Sequence, residues 1–90
     1  MLPLLAEEVY MTYYVSLFDP VRCKWTKISK HETLAEASDA IDAHNRDVLE
    51  IPERELDEYS LDTTEVEDGI WLGGCDEVEY IVKRGQWYNE

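Results

Sequence analysis

Two interleaved sets of side chains open the chain's clearest pattern. Val9, Met11, Tyr13, Val15 and Leu17 alternate with Tyr10, Thr12, Tyr14, Ser16 and Phe18. A period of two, rich in β-branched and aromatic residues and free of Gly and Pro, predicts a strand over residues 9–18. The first set makes the better core face; the second, with three aromatics and two hydroxyls, reads as half exposed. Asp19-Pro20 signals a turn. Residues 22–29 read as a returning strand, with Cys23 and Trp25 on one side and Lys24, Thr26 and Ile28 on the other.

The period then changes. Thr33 and Glu36 fit a capping box, in which hydroxyl and carboxylate satisfy each other's backbone N–H groups at a helix start. Leu34, Ala37, Ile41, His44 and Val48 fall on one stripe at helical spacing. The helix is expected to end near Asn45 or close to Ile51, ahead of Pro52, with the longer version favoured. Pro52 also suits the first turn of a short second helix over 53–59, with Leu56 and Tyr59 as its apolar contacts. Residues 60–65 read as a polar connector. Residues 65–72 predict a third strand, Gly73-Gly74-Cys75-Asp76 a turn, and residues 77–84 a fourth strand, in which Val78, Tyr80 and Val82 alternate with Glu79, Ile81 and Lys83. Trp87 and Tyr88 are placed to fold back over a sheet face or edge. The order β-β-α-(α)-β-β predicts one α+β domain over residues 1–90, a four-stranded antiparallel sheet with one main acidic helix packed across one face.

Charge changes the picture more than composition does. The chain has 90 residues, 44% hydrophobic and 11% aromatic, enough for a modest core. It carries 21 acids against 8 bases, a net of −13. Residues 32–79 hold seventeen of the acids and two of the bases, while the segments on either side are each net +1. Charge of one sign confined in this way makes a focused field, and it repels nucleic acid and anionic membranes. Direct nucleic-acid binding and electrostatic membrane docking are therefore nearly excluded. No apolar run approaches the ~18 residues of a membrane span, and Leu2-Pro3-Leu4-Leu5-Ala6 is too short for a signal sequence. The chain reads as soluble and intracellular.

Candidate chemistry is thin. Cys23 and Cys75 read as free thiols, although turns that met in space would allow a disulfide. A zinc site with His31 and His44 lacks the closely spaced ligand pairs such sites use. No Gly-rich phosphate loop occurs, and Val66 stands where a calcium loop over 62–69 needs a ligand. No catalytic residue, metal or cofactor is expected, and a core this small leaves little room for an enzyme's pocket.

The acids themselves are the strongest candidate. Glu36, Asp39 and Asp42 recur every three residues, about 4.5 Å of helix rise, which is of the order of the ~3.4 Å axial rise between phosphates along one DNA strand. Glu50, Glu53, Glu55, Asp57 and Glu58 form a second cluster, and Tyr59 is its expected exposed aromatic anchor. A third cluster runs from Asp62 through Glu65, Glu67 and Asp68 to Asp76, Glu77 and Glu79. An Asp42–Arg46 pair is expected to mute one of these charges. A competing reading places recognition on an aromatic sheet face built from Tyr10, Tyr14, Phe18, Trp87 and Tyr88, with the acids as solvation.

In length, α+β pattern and the acidic run from Glu32 to Glu79, the chain resembles the small anti-CRISPR and anti-restriction proteins of bacteriophages and mobile elements, several of which act as acidic DNA mimics. The resemblance implies a cytoplasmic inhibitor in a bacterial host, a monomer or homodimer, that occupies the basic channel of a nucleic-acid-handling protein or effector complex. Small acidic immunity proteins and antitoxins that plug basic nucleases share the same charge logic.

Overall fold

The computed structural model describes residues 11–88. Strands β1 (Tyr13–Asp19) and β2 (Lys24–His31) form the first hairpin, helix α1 (Leu34–Asp47) follows, and a 3-10 turn (Glu53–Glu55) runs into the single-turn helix α2 (Leu56–Tyr59). Strands β3 (Ile70–Cys75) and β4 (Val78–Arg84) complete a four-stranded antiparallel sheet of order β2-β1-β4-β3. The α+β architecture expected from the periodicities is the one observed. None of the helices among the described residues is long and apolar enough to cross a membrane.

The core forms between one sheet face and α1. Val15, Trp71, Tyr80 and Val82 from the sheet pack with Ala37 and Ile41 of α1 and with Leu61, all at most 6% exposed. Tyr13, Leu17, Ile28, Leu34 and Val78 surround them. Tyr13, Val15 and Leu17 of the first apolar set face the core, as the alternation predicts, whereas Met11, ahead of the strand, is 57% exposed; Val9 and Tyr10 lie outside the described residues. On the opposite face Ser16 and Ile81 are also buried. There Tyr14 packs on Trp87 at 4.9 Å between ring centroids, Phe18 on Trp25 at 5.2 Å, and Trp25 on Tyr88 at 5.2 Å. The C-terminal aromatics do fold back over the sheet.

Several boundaries differ from the sequence reading, each for a local reason. The first hairpin is tightened by Asp19, whose carboxylate accepts from the backbone N–H groups of Val21 and Arg22, so β2 begins at Lys24 rather than residue 22. A bulge between Val15 and Ser16 leaves Ile28 without a directly paired residue and carries β2 on to His31. Helix α1 starts as expected, with the Glu36 N–H donating to the Thr33 hydroxyl and the Glu32 N–H to the Glu36 carboxylate. It ends at Asp47, between the two expected places; Glu50 turns through a left-handed conformation (φ 55°) and the Ile51 N–H donates back to the Asn45 carbonyl. The apolar stripe bends accordingly: Val48 is exposed and Asn45 is fully buried in its stead.

The third strand shifts most. It starts at Ile70, after a tight turn at Asp68-Gly69 in which the Ile70 N–H donates to the Glu67 carbonyl. It then continues through Gly73, Gly74 and Cys75, which the sequence reading made a turn; the reversal falls at Asp76-Glu77 instead. Both glycines are required by what approaches them. A Cβ on Gly73 would lie 3.0 Å from the Leu61 Cα, because the supposed polar connector runs along the outer side of β3 and buries Leu61. Gly74 has φ +95°, and a Cβ there would sit 2.0 Å from the Val78 carbonyl oxygen. Gly74→Ala is expected to lower the stability measured by urea unfolding by more than about 1 kcal/mol, since both the backbone conformation and the space exclude a methyl group. An unchanged unfolding midpoint would contradict this account of the hairpin.

Candidate partner-binding surface

The acidic side chains divide into those that build the fold and those left for solvent. Glu36 belongs to the first class, since its carboxylate closes the capping box, although the residue is exposed. Asp42 belongs there too. It is half-buried, with Oδ1 2.8 Å from the Ser60 hydroxyl, which ties α1 to the residue that ends α2. The straight row of Glu36, Asp39 and Asp42 is therefore not straight. A three-residue step turns each carboxylate about 60° around the axis, so the row winds from the cap, through exposed Asp39, into the seam with α2. Asp42 makes no ion pair with Arg46, contrary to expectation; Arg46 lies 3.2 Å from its neighbour Asp47 instead.

Glu50, Glu53, Asp57 and Glu58 are exposed and Glu55 is half-buried. Tyr59, expected to stand free, is also half-buried. It lines a shallow depression with Cys75, Asp76, Glu77 and Val78. The fold thus brings the α2 acids beside those of the β3–β4 turn, with one tyrosine between them. Desolvation, joined by the charges of Cys75, Asp76, Glu55 and Glu58, pushes the Tyr59 hydroxyl's pKa up. The sequence reading counted Asp76 and Glu77 in the third cluster and did not group them with Tyr59; their place in the turn is set by the true end of β3. In the third cluster, several acids shape the loop. Asp62 accepts from the Thr64 N–H, Glu65 from the Gly69 N–H, and Asp68 pairs with Arg84 at 3.2 Å.

Arg46 and Arg54 sit within the helical layer, but the lysines lie elsewhere. Directly paired residues in an antiparallel sheet project to the same face. Lys27 pairs with Ser16, and both Lys30 and Lys83 pair with Tyr14, so all three lysines share the helix-free face with the aromatics. Lys27 Nζ stands 5.5 Å from the centre of the Trp87 ring. Most of the exposed acids lie on the helical layer and its adjoining turns, and three of the four lysines lie on the other side of the sheet, which also carries Glu79; Lys24, paired with Asp19, is on the helix side.

A buried polar network holds that acidic layer to the sheet. The Tyr80 hydroxyl donates to Asn45 Oδ1 at 2.8 Å, and Asn45 Nδ2 donates to the Tyr59 carbonyl at 3.2 Å. Tyr80 has spent its only proton, so His44 Nδ1, 2.8 Å from the same hydroxyl oxygen, must be the donor to it. Burial, with a smaller contribution from the Asp42 charge, pushes the Tyr80 pKa up to about 12. Burial pushes that of His44 down.

No hydrogen bond joins either imidazole to a cysteine among the described residues. The second imidazole, His31, has Nε2 2.8 Å from the Ser29 hydroxyl, so both rings are engaged away from the cysteines. Both cysteines are free thiols, and burial together with Asp76 and Glu58 raises the pKa of Cys75. No group of three or more His, Cys, Asp or Glu side chains among the described residues is arranged to hold a metal ion.

No protein-family model, curated protein or solved structure matches the chain.

Two outcomes follow from the network. Tyr80→Phe strands a buried Asn45 oxygen, and is expected to lower unfolding free energy by about 1–3 kcal/mol in urea titrations; a neutral substitution would show that the hydroxyl is not holding the layer. The second concerns pH. His44 binds a proton less readily in the folded chain than at its ordinary 6.5. Its contribution is therefore present above that value and lost as pH falls through the lower folded value. The stability advantage of the wild type over His44→Gln is expected to shrink between about pH 7 and pH 5, with the carboxylates, common to both chains, cancelling. An advantage that grows on acidification would reverse the sign and refute the assignment.

Proposed function

We propose that this protein is a non-enzymatic inhibitor that binds and blocks the basic nucleic-acid-binding surface of a nuclease or CRISPR-type effector by presenting carboxylates in place of phosphates. The observation that carries the reading is the division of charge across the sheet. Uniformly scattered acids serve solubility, whereas acids gathered on one side and withdrawn from the lysines on the other create a directed field. Asp39, Glu53, Asp57 and Glu58 are exposed, and no ion pair links them to another described residue. They are available to a partner's Lys and Arg side chains. Tyr59, half-buried between α2 and the β3–β4 turn, offers the aromatic contact that slows dissociation once steering has delivered the complex.

The acidic layer is preferred to the aromatic face because the chain covers that face itself. Tyr14, Phe18, Trp87 and Tyr88 are all half-buried in one another's contacts and those of Trp25; Tyr10 lies outside the described residues.

The test is capture with the tagged protein from nuclease-treated bacterial lysate, followed by competition with DNA and a salt series on the captured protein. A basic nuclease or effector released by DNA is the expected target. Joint substitution of Asp39, Glu53, Asp57 and Glu58 by Lys, which spares the cap residue Glu36 and the seam residue Asp42, is expected to slow association with that target at least about tenfold. Circular dichroism should show an unchanged fold. Normal association by this variant would sink charge mimicry.

A further inference from the structure

Acids on a convex surface hold a cation no better than water does. The depression beside α2 is a different environment, because it is concave and one of its walls is aromatic. Tyr59, Cys75, Asp76, Glu77 and Val78 line a space of about 660 Å³ where the end of α2 meets the β3–β4 turn. Tyr59, Cys75 and Val78 are half-buried there, while Asp76 and Glu77 are exposed. An aromatic ring and an aliphatic side chain thus stand beside two carboxylates. No ion pair links Asp76 or Glu77 to another described residue. Burial, then the charges of Cys75, Asp76, Glu55 and Glu58, push the Tyr59 hydroxyl's pKa up, so further acids act on the same ring.

The chemistry of these walls selects the occupant. They offer hydrogen-bond acceptors and a π face, and they repel an anion. A divalent metal ion needs converging ligands, and no group of three or more His, Cys, Asp or Glu side chains among the described residues is arranged to hold one. An ammonium group is compact and strongly hydrated, and a shallow space leaves it in water. A guanidinium is planar and weakly hydrated, stacks on aromatic faces and presents paired N–H donors to carboxylates. It is also the group that proteins use for bidentate phosphate recognition, so a surface built for nucleic acid supplies it.

We propose that the depression is an arginine-binding subsite, which takes one guanidinium side chain of the partner, stacked on Tyr59 and bonded by Asp76 and Glu77. For its partner the subsite rests on the inhibitor reading, and it narrows that partner to a surface that presents arginine. It also divides the acids by task. Asp39, Glu53, Asp57 and Glu58 steer the approach, whereas Asp76 and Glu77 hold the docked side chain.

The experiment is a titration of the whole protein, followed amide by amide in heteronuclear NMR at fixed ionic strength, with arginine blocked as its acetyl and methylamide derivative. Lysine blocked in the same way is the control. Saturable shifts are expected at Tyr59 and at residues 75–78. The lysine derivative on the wild type, and the arginine derivative on Tyr59→Leu, are each expected to bind about two- to fivefold more weakly. Joint Asp76→Asn and Glu77→Gln substitution is expected to weaken binding at least about tenfold. Tyr59→Phe keeps the ring and should keep the binding. Tyr59→Leu retains the backbone carbonyl that Asn45 bonds. Asp76→Asn suits the left-handed conformation at that position (φ 54°). The variants should therefore fold, which circular dichroism checks. Shifts that do not saturate, or that are as large around Asp39 and Glu53, overturn the proposal by making the effect counterion screening. Equal binding of the lysine derivative overturns it by making the contact charge alone. The titration contains no partner, so its failure leaves charge mimicry standing, and a failed capture leaves the titration standing.

Discussion

Seventeen acids between Glu32 and Glu79 leave the helical layer little side-chain surface with which to grip the sheet, and that constraint shapes the rest of the molecule. Along α1 the fully buried positions are Ala37, Ile41 and Asn45, four residues apart and one per turn. A methyl group, one aliphatic side chain and an amide make a narrow contact. The last turn is held by hydrogen bonds instead of apolar area, through Asn45, Tyr80 and His44. Among the described residues no buried side-chain nitrogen or oxygen lacks a partner, so the arrangement adds no unsatisfied polar atom to a small core. It also fixes α2, because Asn45 donates onward to the Tyr59 carbonyl while Asp42 engages Ser60.

The same constraint sorts the surface. With the core side of α1 given to three positions, its remaining sides and the segment after it are free to carry acids. The base-bearing strand β2 lies at a sheet edge, and the register puts Lys27, Lys30 and Lys83 on the face away from the helices. That face is closed by the chain's own aromatic residues, with Trp87 beneath Lys27. Fold and charge distribution are thus two consequences of one arrangement, and the proposed inhibitory surface is the exposed side of the layer that the buried network retains.

Much of this was legible in the residues. The capping box at Thr33 and Glu36, the turn at Asp19 and the alternation in β1 and β4 are local signals with local causes, and they specify the element order. What was hidden depends on distant partners. Asn45 reads as a polar residue or a helix end because the hydroxyl that satisfies it belongs to Tyr80, 35 residues later. Leu61 reads as part of a polar connector because its bridge to Gly73 exists only once β3 is in place. Asp68-Gly69 is itself a good hairpin signal, yet the Gly73-Gly74 pair drew the turn to the wrong place. The candidate surface shows the same division: the acids were visible as a run, whereas their separation from the lysines follows from strand register, and the grouping of Asp76 and Glu77 with Tyr59 follows from where β3 ends.

The most direct measurement is a residue-by-residue map of the electrostatic potential in solution. Paramagnetic relaxation of backbone amides would be compared between a cationic and an anionic nitroxide cosolute. The account predicts preferential relaxation by the cationic probe around Asp39, Glu53, Asp57, Glu58 and Asp76, and by the anionic probe around Lys27, Lys30 and Lys83. A uniformly negative potential on both sides of the sheet would contradict it, and would return the acids to the role of a solvated surface.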